Sequence, residues 1–205
     1  MRPVRRALAA ALTATLVVLG SLAPVAAATV SKVTESPANA ALPSSAKIVI
    51  IVGPTHGLTS SNRSDGDEAY AEAIKWTPNV TKIYSPNATW SVVKPAVQGA
   101  NIVVYLGHGN GWPSPYTYDP NYTTKDGFGL NIPTNKSDSA VQYYGEPYVG
   151  NDVNLAPGAV VILNHACYSS GSSEPGHAEP SLSVAKQRVD KIGRASCRER
   201  VYVLV

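Results

Sequence analysis

The chain has 205 residues, with 17 Lys and Arg against 14 Asp and Glu. That basic balance sits at the ends: setting aside Arg2, Arg5, Arg6, Arg194, Arg198, Arg200 and Glu199 leaves eleven basic and thirteen acidic residues, a net charge of −2. No Lys/Arg cluster then remains to bind nucleic acid or an acidic lipid surface, and the length suits one domain or most of one.

The two ends read as additions to that domain. Arg2, Arg5 and Arg6 precede an apolar run over residues 7–22, and Pro24, Ala26, Ala27 and Ala28 follow. This is the order of a secretory signal, with cleavage expected after Ala28. The run falls short of the roughly 20 apolar residues of a membrane span, although an uncleaved anchor helix is the alternative. A secreted, cell-surface or periplasmic protein is expected, and the Ala-rich signal has a bacterial composition. Residues 29–46 are rich in Ser, Ala and Pro and read as a flexible lead-in. At the other end, residues 192–201 match a translated sequencing adapter residue for residue. Residues 191–205 are therefore expected to be a non-native tail, the alternative being a genuine basic helix or tail. On that reading the domain covers residues 47–190 and the natural chain continues further. Cys167 is then the lone cysteine of an exported chain, hence a candidate reactive thiol. A disulfide partner beyond residue 190 is the competing possibility.

Residues 47–53 form a β-branched apolar run ending in Gly53-Pro54, as expected of a strand buried on both faces. A helix is expected from Ser64 or Asp65 to Trp76, with Asp67 and Glu68 in its first turn. A short strand follows over residues 80–84. Asn87 or Thr89 then caps a second helix running to about Ala100, in which Pro95 must lie near the start or cause a kink. Residues 101–107 and 159–163 are two further buried strands, and a helix is expected over residues 181–190. Strands alternating with helices predict an α/β domain with right-handed crossovers and a mainly parallel sheet. Between Gly107 and Pro157 lies a long polar segment rich in Tyr, Gly, Asn and Pro, expected to be loop.

Chemistry concentrates at two strand ends. Leu106-Gly-His-Gly-Asn-Gly111 follows the second buried strand, and Leu163-Asn-His-Ala-Cys-Tyr-Ser-Ser-Gly171 follows the third. Ligands of open α/β sheets bind beyond the carboxyl ends of strands. Adjacent strands ending in an imidazole and a thiol would supply the pair that nucleophilic catalysis needs. The glycines beside His108 let the backbone turn sharply and face its N–H groups toward a substrate.

These residues resemble the caspase-like cysteine peptidases, a clan that includes caspases, metacaspases, gingipains, clostripain and CHAT domains. The similarity covers roughly residues 100–171 and lies nearest to gingipain-like and CHAT-type sequences. It implies the three-layer caspase-like fold, truncated here at the C-terminus, and hydrolysis of protein or peptide substrates through a thioacyl-enzyme. Cys167 would be the nucleophile, His108 the proton shuttle, and the N–H groups of Gly109 and Cys167 the oxyanion hole. No metal or cofactor is implied. The clan's sheet has about six strands, so a chain with four is expected to be unstable or inactive, with a bare hydrophobic edge.

Other polar residues near these strand ends are cleft-lining candidates: His56, Asn110, Asn164 and His165. Basic-specific members of the clan carry an acid two residues before the Cys, where this chain has His165. The pocket acid that would select Arg or Lys is therefore not visible. Packing is the preferred reading of His165, over a second base or a substrate contact, and a turn residue is the preferred reading of His56. His177 is expected in solvent. Asp119, Asp126, Asp138 and Asp152 lack the spacing of a calcium loop. The competing function is a non-catalytic caspase-like module that binds a partner or glycan through its Tyr-rich loop. A flavodoxin-like ligand binder would need a phosphate-cradling glycine loop that the sequence lacks.

Overall fold

The computed structural model describes residues 43–109, 127–173, 176–196 and 202–204. The expected signal segment, most of the lead-in, Asn110, Asp119 and Asp126 lie outside the described residues. The domain is α/β with a mainly parallel sheet. Its first strand, β1 (Ile48–Val52), is buried at every position. It lies between β2 (Val80–Tyr84) and β3 (Ile102–Leu106), and β6 (Val160–Asn164) pairs with the far side of β3. All these pairings are parallel, so the four strands expected from the sequence form one sheet. A fifth strand, β7 (Tyr202–Leu204), comes from the tail that was expected to be non-native and pairs parallel to β6. The outer edge of β6, expected to be bare, is therefore paired.

Alternation along β1 explains why its sequence is continuously apolar. Ile48, Ile50 and Val52 face helix α1 (Thr59–Ala73), whose Ala69, Tyr70 and Ala73 cover them. Val49 and Ile51 face the opposite way, into a core with Val93 and Val97 of α2 (Trp90–Val97). With a helix on each face, every side chain of the strand leaves water. Gly66 lets α1 approach closely, since a β-carbon there would come within 2.7 Å of the Tyr84 hydroxyl.

Several helix boundaries differ from expectation. α1 begins at Thr59, which puts Asp67 and Glu68 in mid-helix. Its start is set from a distance. The Asp138 carboxylate accepts from the Gly57 N–H at 3.1 Å and from the Thr59 hydroxyl at 2.5 Å. α2 starts after Thr89 as expected, but Pro95 sits near its end, exposed, and the helix stops two residues later. The Gln98 side chain caps it by donating to the Lys94 carbonyl, and Gly99 takes a left-handed φ of 65°.

The segment between residues 107 and 157 is not wholly loop. It contains an antiparallel hairpin, β4 (Phe128–Asn131) with β5 (Val141–Tyr144), and helix α3 (Glu146–Asp152). Two of its described tyrosines serve packing: Tyr144 stacks on Trp90 with centroids 4.9 Å apart, and Tyr148 meets both rings edge-on. α4 (Leu182–Ser196) starts as expected, packs against α3 and runs past residue 190. Among the described residues no helix is long and apolar enough to cross a membrane.

Replacing Ile50, which is fully buried in the middle of β1, should show how much the sheet centre contributes. Ile50→Ala is expected to lower the unfolding free energy by about 2–5 kcal/mol in chemical denaturation. Val92→Ala, at a 45% exposed site on α2, should change it by less than about 0.5 kcal/mol.

Candidate active site

Three strands finish level with one another. Val52 of β1 is in register with Leu106 of β3, and Leu106 with Asn164 of β6. The residues that follow them carry His56, His108 and Cys167, so all three loops start from one end of the sheet. The β3 and β6 loops are in direct backbone contact. Gly107 N–H donates to the Asn164 carbonyl at 3.3 Å. A β-carbon on Gly109 would overlap the Cys167 carbonyl oxygen and lie 2.6 Å from the Cys167 nitrogen. Glycine is required there because two main chains occupy the space a side chain would need.

The His108 backbone is fixed from below by Tyr105, which is fully buried. The Tyr105 hydroxyl donates to the His108 carbonyl at 2.7 Å and accepts from the Gly129 N–H at 2.8 Å. Burial raises its pKa well above the ordinary phenol value, against the opposing effect of the hydrogen bond with the Gly129 backbone. The phenol thus stays protonated and remains a donor. Through Tyr105 the β4 strand is fastened to the loop that carries His108.

The His108 ring meets His56. Nδ1 of His56 lies 2.7 Å from Nε2 of His108, with ring centroids 4.9 Å apart. The turn reading of His56 is thereby extended: the residue does sit in a turn, and its side chain bonds the candidate proton shuttle. His165 instead uses Nδ1 to contact Oδ1 of Asn62 at 3.1 Å, which fixes its proton on Nδ1 as the donor. Asn62, 1% exposed, belongs to a buried polar cluster with Thr55 and Thr59 that leads to Asp138. Sequence reasoning missed Tyr105, which reads as part of an apolar strand. It weighed Asp138 and Asp152 only against the spacing of a calcium loop, whereas Asp138 holds the β1–α1 loop and Asp152 pairs with Lys94 at 2.9 Å. Among the described residues no cluster of three or more His, Cys, Asp and Glu is placed to hold a metal.

Cys167 is half-buried and takes part in no disulfide. The chain turns tightly after it: the Ser169 hydroxyl donates to the Ala166 carbonyl at 2.6 Å. Arg188 of α4, 5% exposed, donates to the carbonyls of Gly171 and Ser172 and stacks 4.6 Å over the Tyr168 ring. A cleft of about 570 Å³ opens beside the thiol, walled by Leu58, Leu163, Asn164, His165, Tyr168 and a run of serines. His56, His165 and Tyr168 are the described non-glycine residues with positive φ, at 49°, 58° and 66°. Left-handed backbone costs non-glycine residues energy and gathers at functional sites. His177 is exposed, as expected.

Comparison of the chain with protein-family models, with curated proteins and with solved structures finds no match. Removing the Tyr105 hydroxyl leaves one buried N–H and one carbonyl without it, a loss of about 1–3 kcal/mol. Tyr105→Phe is expected to show that loss in urea denaturation and to slow alkylation of Cys167. An unchanged denaturation midpoint would contradict the anchoring role.

Proposed function

We propose that this chain is an exported cysteine endopeptidase of the caspase-like kind, acting through Cys167 and His108. The observation that carries the reading is the meeting of the two loops. Gly109, next to His108, packs on the peptide of Cys167 at the ends of adjacent parallel strands. In the reaction, His108 takes the thiol proton and Cys167 Sγ bonds to the scissile carbonyl carbon. The N–H groups of Gly109 and Cys167 face the oxygen that becomes negative. The C–N bond then breaks as His108 gives its proton to the leaving amine. Water, losing a proton to His108, attacks the thioester and releases the acid, and the thiol is restored.

The cleft beside Cys167 suggests which peptides enter. Its described lining contains no Asp, Glu, Lys or Arg; Leu58, Leu163 and Ala166 supply an apolar wall and four serines a neutral rim. A charged side chain would lose its hydration there without gaining a partner. The residue held next to the scissile bond is therefore uncharged.

The competing readings fit less well. Tyr144 and Tyr148, in the segment expected to bind a partner or glycan, are packed into the aromatic cluster with Trp90. A phosphate binder would leave the start of α1 open to an anion, and here the Asp138 carboxylate lies beside it, bonded to the Gly57 N–H and the Thr59 hydroxyl, where its charge opposes a second anion.

Peptidyl acyloxymethyl ketones, read by intact mass, test the proposal on the 205-residue chain. Cys167 should be captured, with neutral residues beside the ketone favoured over Lys, Arg or Asp by about tenfold or more. Cys167→Ala and His108→Ala should not be captured. Equal capture of the folded and the urea-unfolded chain would contradict the enzyme. Faster capture by a charged peptide would contradict only the uncharged cleft.

A further inference from the structure

The contact between His56 and His108 assigns a role to each nitrogen of the candidate proton shuttle. It rests on the dyad reading above. Nε2 of His108 lies 2.7 Å from Nδ1 of His56, so Nε2 is engaged within the protein. When His108 accepts the Cys167 proton, both of its nitrogens carry hydrogen. The His108 Nε2–H must then donate, and His56 Nδ1 must accept. His56 can do that only as the neutral tautomer with its own proton on Nε2.

We propose that His56 is a positioning residue: through its Nδ1 it fixes the His108 ring and stabilises its protonated form, leaving His108 Nδ1 to serve Cys167. The thiol proton moves from Sγ to His108 Nδ1 and later to the leaving amine, while His56 keeps its proton throughout. A hydrogen bond to a charged group is among the stronger ones in proteins.

The backbone that presents His56 is built for the purpose. His56 has a φ of 49°, a conformation that is unfavourable for most side chains. It is held there by Asp138. The His56 N–H donates to the Asp138 carbonyl at 3.2 Å, and the next two anchoring bonds come from Gly57 N–H and the Thr59 hydroxyl to the Asp138 carboxylate. Asp138 is anchored in the turn between β4 and β5, so the hairpin that touches His108 through Tyr105 also aims His56.

The left-handed φ makes a discriminating pair of variants available, because Asn and Gly both accept it. His56→Asn keeps an acceptor, Oδ1, at the level of the lost Nδ1; His56→Gly keeps none. Capture of Cys167 by a neutral peptidyl acyloxymethyl ketone should fall about 10- to 100-fold in His56→Gly, the size expected for one lost hydrogen bond to an imidazolium. His56→Asn should restore most of that rate at an equal melting temperature. In parallel, ¹⁵N NMR of the His108 ring should show its Nε2 resonance shift in His56→Gly and stay near wild type in His56→Asn. Wild-type capture in His56→Gly, or equal loss in both variants, would overturn the assignment. An absence of capture in the wild-type chain would instead count against the peptidase reading, and the NMR shift would then decide the contact by itself.

Discussion

The candidate site of this chain depends on the parallel pairing of β1, β3 and β6 with their carboxyl ends level. Parallel strands in register launch their following loops from one edge, so residues far apart in sequence are delivered to one place. Val52, Leu106 and Asn164 end level, and His56, His108 and Cys167 each stand two to four residues later. A slip of one residue in β6 would exchange its two faces. Val161 would turn out of the core that it shares with Val49 and Val103, and the cleft would lose its shape. Burial of the alternating faces thus enforces the register, and the register assembles the site.

Strand ends alone would leave the loops free to drift, and two polar systems prevent it. Tyr105 ties the His108 carbonyl to the hairpin from beneath. Asp138, in the same hairpin, ties down the His56 turn and starts α1, and the Thr55, Thr59 and Asn62 cluster extends that tie to His165. Buried networks of this kind hold one geometry because any displaced member leaves unsatisfied neighbours. Arg188 performs the matching task on the far side, gathering the carbonyls of the loop after Cys167. Each loop of the site is held by a residue from another element.

That division explains what could be read from the sequence. β1, β3 and β6 were legible because strands of a covered parallel sheet are written as apolar, β-branched runs, although only β1 is buried at every position and β6 buries Val161 alone. Their adjacency followed from strand–helix alternation, and with it the meeting of the His108 and Cys167 loops. The start of α1 was misread because the local signal at Ser64 and Asp65 says nothing of Asp138, which holds Gly57 and the Thr59 hydroxyl just where the helix begins, 79 residues from Thr59. The hairpin was missed because its strands have four residues each and carry Gly129 and Gln142 among their apolar positions. The partnership of His56 with His108 had no signal in the spacing, since 52 residues and two crossovers separate them.

The central claim is that His108 activates Cys167, and alkylation by iodoacetamide at pH 6.5 measures it most directly. An ordinary cysteine is almost wholly protonated at that pH and reacts slowly. The account predicts that Cys167 in the folded chain reacts at least about tenfold faster than in the urea-unfolded chain. The advantage should vanish in His108→Ala, with folding preserved. Equal rates in the folded and unfolded chain, or an advantage that survives His108→Ala, would contradict it.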